Sequence, residues 1–181
     1  MLEKNAPITI RQLSKTTPEI KQARELFLRY FTDLYNDKSP QTLQMTVPKN
    51  EYLAAIFDKT EKELTNDANL LAFFAYINNQ IVGFTFFGPL EDKRIILVRS
   101  LPIDLAYKNQ ELAIRNALIC QVKISFPNAE HIIVMVRKAN AVHNDLCLQG
   151  GFRLDTRIFS ASELIRTTYD QQCYNAYILN V

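Results

Sequence analysis

The sequence predicts an α/β (α+β) domain built on a single mixed, mostly antiparallel β-sheet flanked by helices. The expected order is β-α-α-β-β-β-α-β-α-β-β. Three observations carry this expectation. Two stretches with helical spacing of apolar residues come first, and apolar runs joined by tight-turn residues follow. A helical stretch then separates two later strand runs, which forces a crossover and therefore a parallel pair within the sheet. The chain of 181 residues has no internal repeat, low-complexity tract or linker, so residues 1–181 are expected to form one domain.

Residues Ile8 to Leu13 alternate apolar and polar side chains and predict a short first strand. Thr16-Thr17-Pro18-Glu19 has capping-box spacing with proline in the first turn, a helix start. The helix that follows buries Ile20, Ala23, Phe27, Phe31 and Leu34 and ends near Tyr35-Asn36-Asp37; Ser39-Pro40 to Pro48 reads as a loop. A second amphipathic helix carries Leu53, Ile56, Phe57 and Leu64. Leu70 to Ile77 and Ile81 to Phe87 form a hairpin about Asn78-Asn79. Gly88-Pro89 turns the chain into a strand from Arg94 to Ile103. A helix from Glu111 to Ser125, with Ala113, Ala117, Leu118, Gln121 and Ile124 along one side, is stopped by Pro127-Asn128. Ile132 to Val136 is the unbroken apolar run expected of a strand covered on both faces. A short helix from Ala141 to Gln149 closes at Gly150-Gly151, and Phe152 to Phe159 and Tyr174 to Leu179 supply the last strands.

Composition excludes several classes. Hydrophobic residues make up 48% and charged residues 22%, which is ordinary for a globular chain and far from disorder. A net charge of +2, with basic and acidic residues interspersed, lacks the basic stripe of a nucleic-acid reader. The longest apolar run, Leu70 to Ile77, falls well short of the ~20 residues needed to span a bilayer. Met1 to Asn5 carries an acid and leads into no apolar segment, so no membrane association or secretion is expected. Cys120, Cys147 and Cys173 are odd in number and form no Cys-x-x-Cys pair, which suits a reducing, cytoplasmic compartment. Cys120 and Cys173 read as small buried hydrophobes. His131 and His143 do not cluster with the cysteines at a zinc spacing, so no metal is expected. His131 reads as the start of a strand and His143 as a helix-surface residue.

Two local patterns carry chemical information. The first is Asn140-Ala141-Val142-His143-Asn144-Asp145-Leu146-Cys147-Leu148-Gln149-Gly150-Gly151-Phe152, an asparagine after the fifth strand followed by a short helix closed by Gly-Phe. The second is Ile103-Asp104-Leu105-Ala106-Tyr107-Lys108-Asn109-Gln110-Glu111-Leu112-Ala113, a strand end running into a helix start. With the element order, they make nearly the whole chain resemble the GCN5-related N-acetyltransferase (GNAT) superfamily. Asn140, Gly151 and Phe152 match the family's spacing. Lys108 matches the basic residue that leads its pyrophosphate loop, and Ala113 the loop's last small residue.

The resemblance implies an acyl-CoA-dependent N-acetyltransferase that takes acetyl-CoA as co-substrate and passes the acetyl group to a small-molecule or peptide amine by direct attack. It implies that backbone near Ile103 and Leu105 pairs with the pantetheine arm. Lys108, Asn109, Gln110, Glu111, Leu112 and Ala113 would hold the diphosphate at a helix N-terminus, and Asn140 would contact the cofactor. The amine would approach over the first two helices and the loop from Asn36 to Pro48, past Phe31, Tyr35 and Tyr52. A homodimer is a further expectation, since dimers are common in the family.

Three departures qualify this picture. Glu111 stands where the family's loop has glycine, placing a side chain and a negative charge beside the phosphates. It either weakens the site or points outward and complements the helix N-terminus; in the first case Glu111→Gly should strengthen cofactor binding. Cys147 stands where many relatives have a tyrosine that protonates the leaving thiolate, and reads either as a proton donor or as an inert buried thiol. The fourth strand has no acid in its middle, so Asp104, with Glu91-Asp92 next, is the candidate general base. Tyr107 is a substitute acid or a cofactor contact. A second reading follows from these departures: a domain of this fold that has lost catalysis and serves as a binding or regulatory module.

Overall fold

The computed structural model describes residues 7–36 and 48–181. The predicted loop from Ser39 to Pro48, part of the expected approach path for the amine, lies outside the described residues apart from Pro48.

One sheet of seven strands organises the molecule, in the order β1-β2-β3-β4-β5-β7-β6. Strand β1 (Thr9–Gln12) leads into α1 (Thr17–Leu34) and α2 (Lys49–Asn66), followed by β2 (Leu71–Ile77), β3 (Gln80–Pro89) and β4 (Ile95–Ser100). A 3₁₀ turn (Leu105–Gln110) runs directly into α3 (Glu111–Ser125), then β5 (His131–Arg137), α4 (Ala141–Gln149) and β6 (Arg153–Leu154). Helices α5 (Ile158–Ala161) and α6 (Glu163–Thr168) precede β7 (Tyr174–Asn180). All neighbours are antiparallel except β4 and β5, which the α3 crossover makes parallel. The β2–β3 hairpin turns at Asn78 and Asn79, both at positive φ, which asparagine tolerates better than most residues.

Period-two alternation sorts the strand side chains between two layers. Phe73, Ala75, Ile77, Val82, Ile96 and Val98 face α3, where Ile114, Leu118 and Val122 meet them. On the other face Ala72, Phe74, Phe84 and Phe86 meet α1 and α2, and Leu97, Ile133, Ala176 and Ile178 meet α5 and α6. The predicted capping box does not form: Thr16 makes no side-chain cap, and Glu19 reaches past the Thr16 N–H to accept from the Ser14 N–H at 2.6 Å.

Several expectations are corrected. The buried stripe of α3 is Glu111, Ile114, Arg115, Leu118, Ile119 and Val122, and Ile124 is 68% exposed. Binary patterning sends Glu111 and Arg115 to solvent, but they are buried as a pair, and this rotates the helix. Strand β6 covers Arg153–Leu154 in place of Phe152 to Phe159. Asp155 accepts from the Arg157 N–H at 3.1 Å and turns the chain, and the Ser162 hydroxyl caps α6 at the Ile165 N–H. Strand β4 ends at Ser100, short of Ile103. Cys120 is exposed and Cys173 half-buried.

Candidate active site

The parallel pair β4–β5 holds its register only from Ile95↔His131 to Val98↔Val134. Beyond that point β4 runs on to Ser100 and β5 to Arg137 without pairing, so the sheet parts at the carboxyl ends of its two parallel strands. A bulge sharpens the parting. Phe87 pairs with Val98 and Phe86 with Ser100, leaving Arg99 as the extra residue on β4. Past the bulge, Pro102 C=O accepts from Phe84 N–H and Asp104 N–H donates to Val82 C=O. The intervening Ile103 therefore directs its own N–H and C=O away from β3, toward the side on which β5 diverges.

A buried polar cluster fills one side of the parting. From α3, Arg115 donates through Nε and Nη2 to Glu111 Oε1, at 3.1 and 2.9 Å, an i,i+4 ion pair with both side chains below 10% exposure. The Arg115 Nη2 also donates to the Tyr30 hydroxyl at 3.2 Å and to His143 Nε2. The Tyr30 hydroxyl is itself in contact with His143 Nε2, and the two rings stack with centroids 5.4 Å apart. Facing two donors, Nε2 is the unprotonated nitrogen, which places the ring proton on Nδ1. Burial lowers the His143 pKa from 6.5 to about 4, so the imidazole is neutral at physiological pH. Tyr30 comes from α1, on one face of the sheet, while Arg115 and His143 come from α3 and α4 on the other. The cluster thus passes through the sheet where β4 and β5 part.

On the α1/α2/α6 side the parting opens into a cavity of about 330 Å³. Phe31, Tyr52, Tyr169 and Tyr174 form apolar and aromatic walls, and Asn140, Arg115 and His143 line its inner end. Among the described residues, Lys59, Arg99, Arg115 and Arg137 bring four cations to the lining against the single carboxylate of Glu63. Arg137 donates to the Tyr52 hydroxyl at 2.6 Å and lies over the Tyr52 and Tyr174 rings. Arg99 pairs through Nη1 with Glu63, yet its buried Nε finds no partner among the described residues, nor does the buried Ser100 hydroxyl.

Of the residues expected to form the site, Asn140 lines this cavity. Its side chain caps α4 by accepting from the His143 N–H at 3.1 Å. Glu111 is 5% exposed and turned inward onto Arg115, which overturns the outward-pointing alternative. Glu111→Gly would also remove the carboxylate partner of Arg115, so that variant bears on the fold as well as on cofactor binding. His143, expected on the helix surface, is 8% exposed at the centre of the cluster. Cys147 lies in the apolar core with Val136, Phe152 and Tyr177, and burial pushes its thiol up to about 11. Asp104 caps the 3₁₀ turn, accepting from Ala106 N–H at 3.0 Å, and pairs with Arg29 at 2.6 Å. Tyr107 is buried and donates to Gln80 at 3.0 Å. Glu91 accepts from Ser162 and the Leu164 N–H, and Asp92 pairs with Arg94, so neither reaches the cavity. Leu105, Lys108, Asn109 and Ala113 are exposed around the head of α3, with Gln110 and Leu112 half-buried; Gln110 offers no side-chain cap there.

Sequence reasoning passed over Tyr30, Arg115, Arg99 and Glu63. A signal existed for two of them: Glu111 and Arg115 stand at i,i+4 with opposite charge, and Arg99 interrupts an otherwise apolar strand run. Among the described residues no three histidine, cysteine or acidic side chains gather as a metal site, and no helix is long and apolar enough to cross a membrane.

No family model matches the sequence, and no curated protein does. Solved structures do match. An N-acetyltransferase, PaiA, from Thermoplasma acidophilum in complex with coenzyme A superposes with a TM-score of 0.69 at 12% identity, over 97% of this chain and 99% of that one. A GNAT-family acetyltransferase from Staphylococcus aureus Mu50 gives 0.64 at 16% identity, over 96% and 99%. An aminoglycoside acetyltransferase from an uncultured soil metagenomic sample, in complex with sisomicin, gives 0.53 at 20% identity, over 79% and 86%. The chain has the fold of the GCN5-related N-acetyltransferases.

Proposed function

We propose that the protein is an acyl-CoA-dependent N-acetyltransferase that moves an acetyl group from acetyl-CoA to a small amine by direct attack. The observation that carries this reading is the parting of β4 and β5, which opens on one face of the sheet to a closed-in cavity and on the other to the head of α3. A ligand crossing the parting would reach both.

The residues present fit acetyl-CoA at its polar end. The head of α3 has no side-chain cap, and the helix dipole favours an anion there, although the Glu111 N–H is already held by the Lys108 carbonyl of the 3₁₀ turn. Glu111, which would repel phosphates, is turned inward and neutralised by Arg115. Ile103 presents an N–H and a C=O on the diverging side, the pattern needed to pair with the amides of an extended pantetheine arm. Bound there, acetyl-CoA supplies an activated thioester carbonyl.

The chain's own groups would then handle protons. The acceptor amine must lose one, and among the described residues Glu63 is the one carboxylate on the cavity wall to take it, directly or through water. The leaving thiolate must gain one. We assign this donor to Tyr30, hydrogen-bonded to neutral His143, because Cys147 sits in the apolar core. The setting we infer is the cytoplasm, with three free thiols in the chain.

One observation favours a second reading, a non-catalytic binding module. Arg115 reaches His143 and ties α3 to α4 across the route a pantetheine arm would take. A thermal melt with millimolar acetyl-CoA separates the two. Ligand at about 100 times its dissociation constant adds ~2.7 kcal/mol, which raises the midpoint of a domain this size by roughly 5–10 °C. Such a shift, with thiol release on adding amines, supports the transferase. No shift supports the module.

A further inference from the structure

The cavity on the α1/α2/α6 side has a chemical bias that the transferase reading alone does not require. An enzyme selecting cationic acceptors would line its acceptor pocket with carboxylates; here, among the described residues, cations outnumber carboxylates four to one. Arg115 is matched by Glu111, and Arg137 is hydrogen-bonded to Tyr52. The unmet capacity lies at the bulge. Neighbouring residues on a regular strand point to opposite faces, but the extra residue at Arg99 breaks the alternation, so that Arg99 and Ser100 both line the cavity. The Arg99 Nε–H and the Ser100 hydroxyl are both buried there without a hydrogen-bond partner among the described residues. Ser100 itself is 8% exposed. Buried donors are ordinarily paired; these two, from consecutive residues of the cavity wall, are covered as they stand and would meet an acceptor in the cavity once their side chains turn into it.

We propose that this cavity binds a small amine that also carries an anionic group, a carboxylate or a phosphate, received by Arg99 Nε and the Ser100 hydroxyl while its apolar body lies against Phe31, Tyr52 and Tyr169. The guanidinium is always charged and its planar edge suits either oxyanion. Polycationic amines are excluded by the same cations. The proposal names the acceptor class of the site described above and in that respect rests on the transferase reading.

The test measures binding by calorimetry, without acetyl-CoA, for four probes: phenylalanine, phenethylamine (the same amine without its carboxylate), O-phosphoethanolamine and spermidine. Phenylalanine or O-phosphoethanolamine should bind at least tenfold more tightly than phenethylamine, and spermidine should not bind. The preferred probe tells a carboxylate from a phosphate. Arg99→Gln and Ser100→Ala should each reduce the preference for the anionic probe, and Ser100→Ala, which removes one hydroxyl, keeps the test interpretable if Arg99→Gln folds poorly. Phenethylamine or spermidine binding as well as the anionic probes, no probe binding at millimolar concentration, or a preference unchanged in both variants would overturn the proposal. Failure of the transferase reading is separately visible: the anion preference would persist while acetyl-CoA gave no melting shift.

Discussion

Two arginines flank the same opening, Arg115 buried and Arg99 half-buried, and they are treated in opposite ways. Arg115, 8% exposed at its side chain, has partners in Glu111, Tyr30 and His143. Arg99, 16% exposed, is paired on one edge with Glu63 and left with an unsatisfied Nε on the other. Arg99 is the less buried of the two, and its hydrogen bonding is also the less complete. A fully satisfied network in a low-dielectric setting rigidifies its surroundings, whereas a half-satisfied one is costly unless something else completes it. The Glu111–Arg115 pair is therefore complete as it stands, whereas Arg99 keeps an unpaired donor on the cavity side.

The largest expected effect tests the structural half. Glu111→Ala leaves the Arg115 charge buried and uncompensated and should cost about 3–5 kcal/mol in denaturant unfolding. The double replacement Glu111→Leu with Arg115→Met should recover most of that loss, because it removes both charges together. Arg99→Met, which breaks a partly exposed pair, should cost about 1 kcal/mol or less. If Arg99→Met proves as damaging as Glu111→Ala, the contrast between the two arginines collapses.

Next in size is a pH effect on His143. In the folded chain burial lowers its pKa from 6.5 to about 4. Between those values the unfolded chain binds a proton that the folded chain refuses, so stability rises with pH there. The contribution is whole above pH 6.5 and is lost as pH falls toward 4, reaching about 3 kcal/mol at ~1.4 kcal/mol per unit. Asp155, Asp92 and Glu91 also have lowered values and weaken the fold in acid, so the informative quantity is a difference. His143→Gln keeps an acceptor for Tyr30 and Arg115 but cannot titrate. The gap between wild type and variant should narrow or reverse from pH 7 to pH 4.5, and a constant gap would mean that His143 is hydrated or already charged.

How much of this was legible in the sequence depended on the kind of interaction. Elements governed by local periodicity and turns could be read directly: the Asn78-Asn79 hairpin, the α3 crossover, and Asn140 heading α4. Elements governed by pairing across the fold could not. Glu111 and Arg115 look like solvent-facing charges until each is seen to neutralise the other, and that pairing alone rotates the buried stripe of α3. His143 looks like a surface residue because nothing near it in sequence announces Tyr30, 113 residues away. The segment from Phe152 to Phe159 reads as strand by composition but is turned by Asp155; the helix after it is capped by Ser162, and the carboxylate that anchors it, Glu91, is contributed from the β3–β4 turn. The bulge at Arg99 depends on register with β3, which no residue of β4 encodes alone.

The smallest effect sharpens the receiving half of the comparison. Thr85 and Ser100 are buried hydroxyl residues on adjacent strands, and Thr85 donates to the Ser100 carbonyl at 2.9 Å. Thr85→Val deletes that bond and leaves the buried carbonyl short of a donor, a loss of about 1 kcal/mol. Ser100→Ala deletes a hydroxyl that has no partner to lose, so stability should stay within about 0.5 kcal/mol or rise slightly. Chemical denaturation of the two variants decides the matter. A Ser100→Ala cost equal to that of Thr85→Val would mean that the hydroxyl already serves the fold. An unchanged or increased stability, together with weakened binding of the anionic probe, would mean that the fold tolerates an unpaired buried group at Ser100 because a ligand completes it.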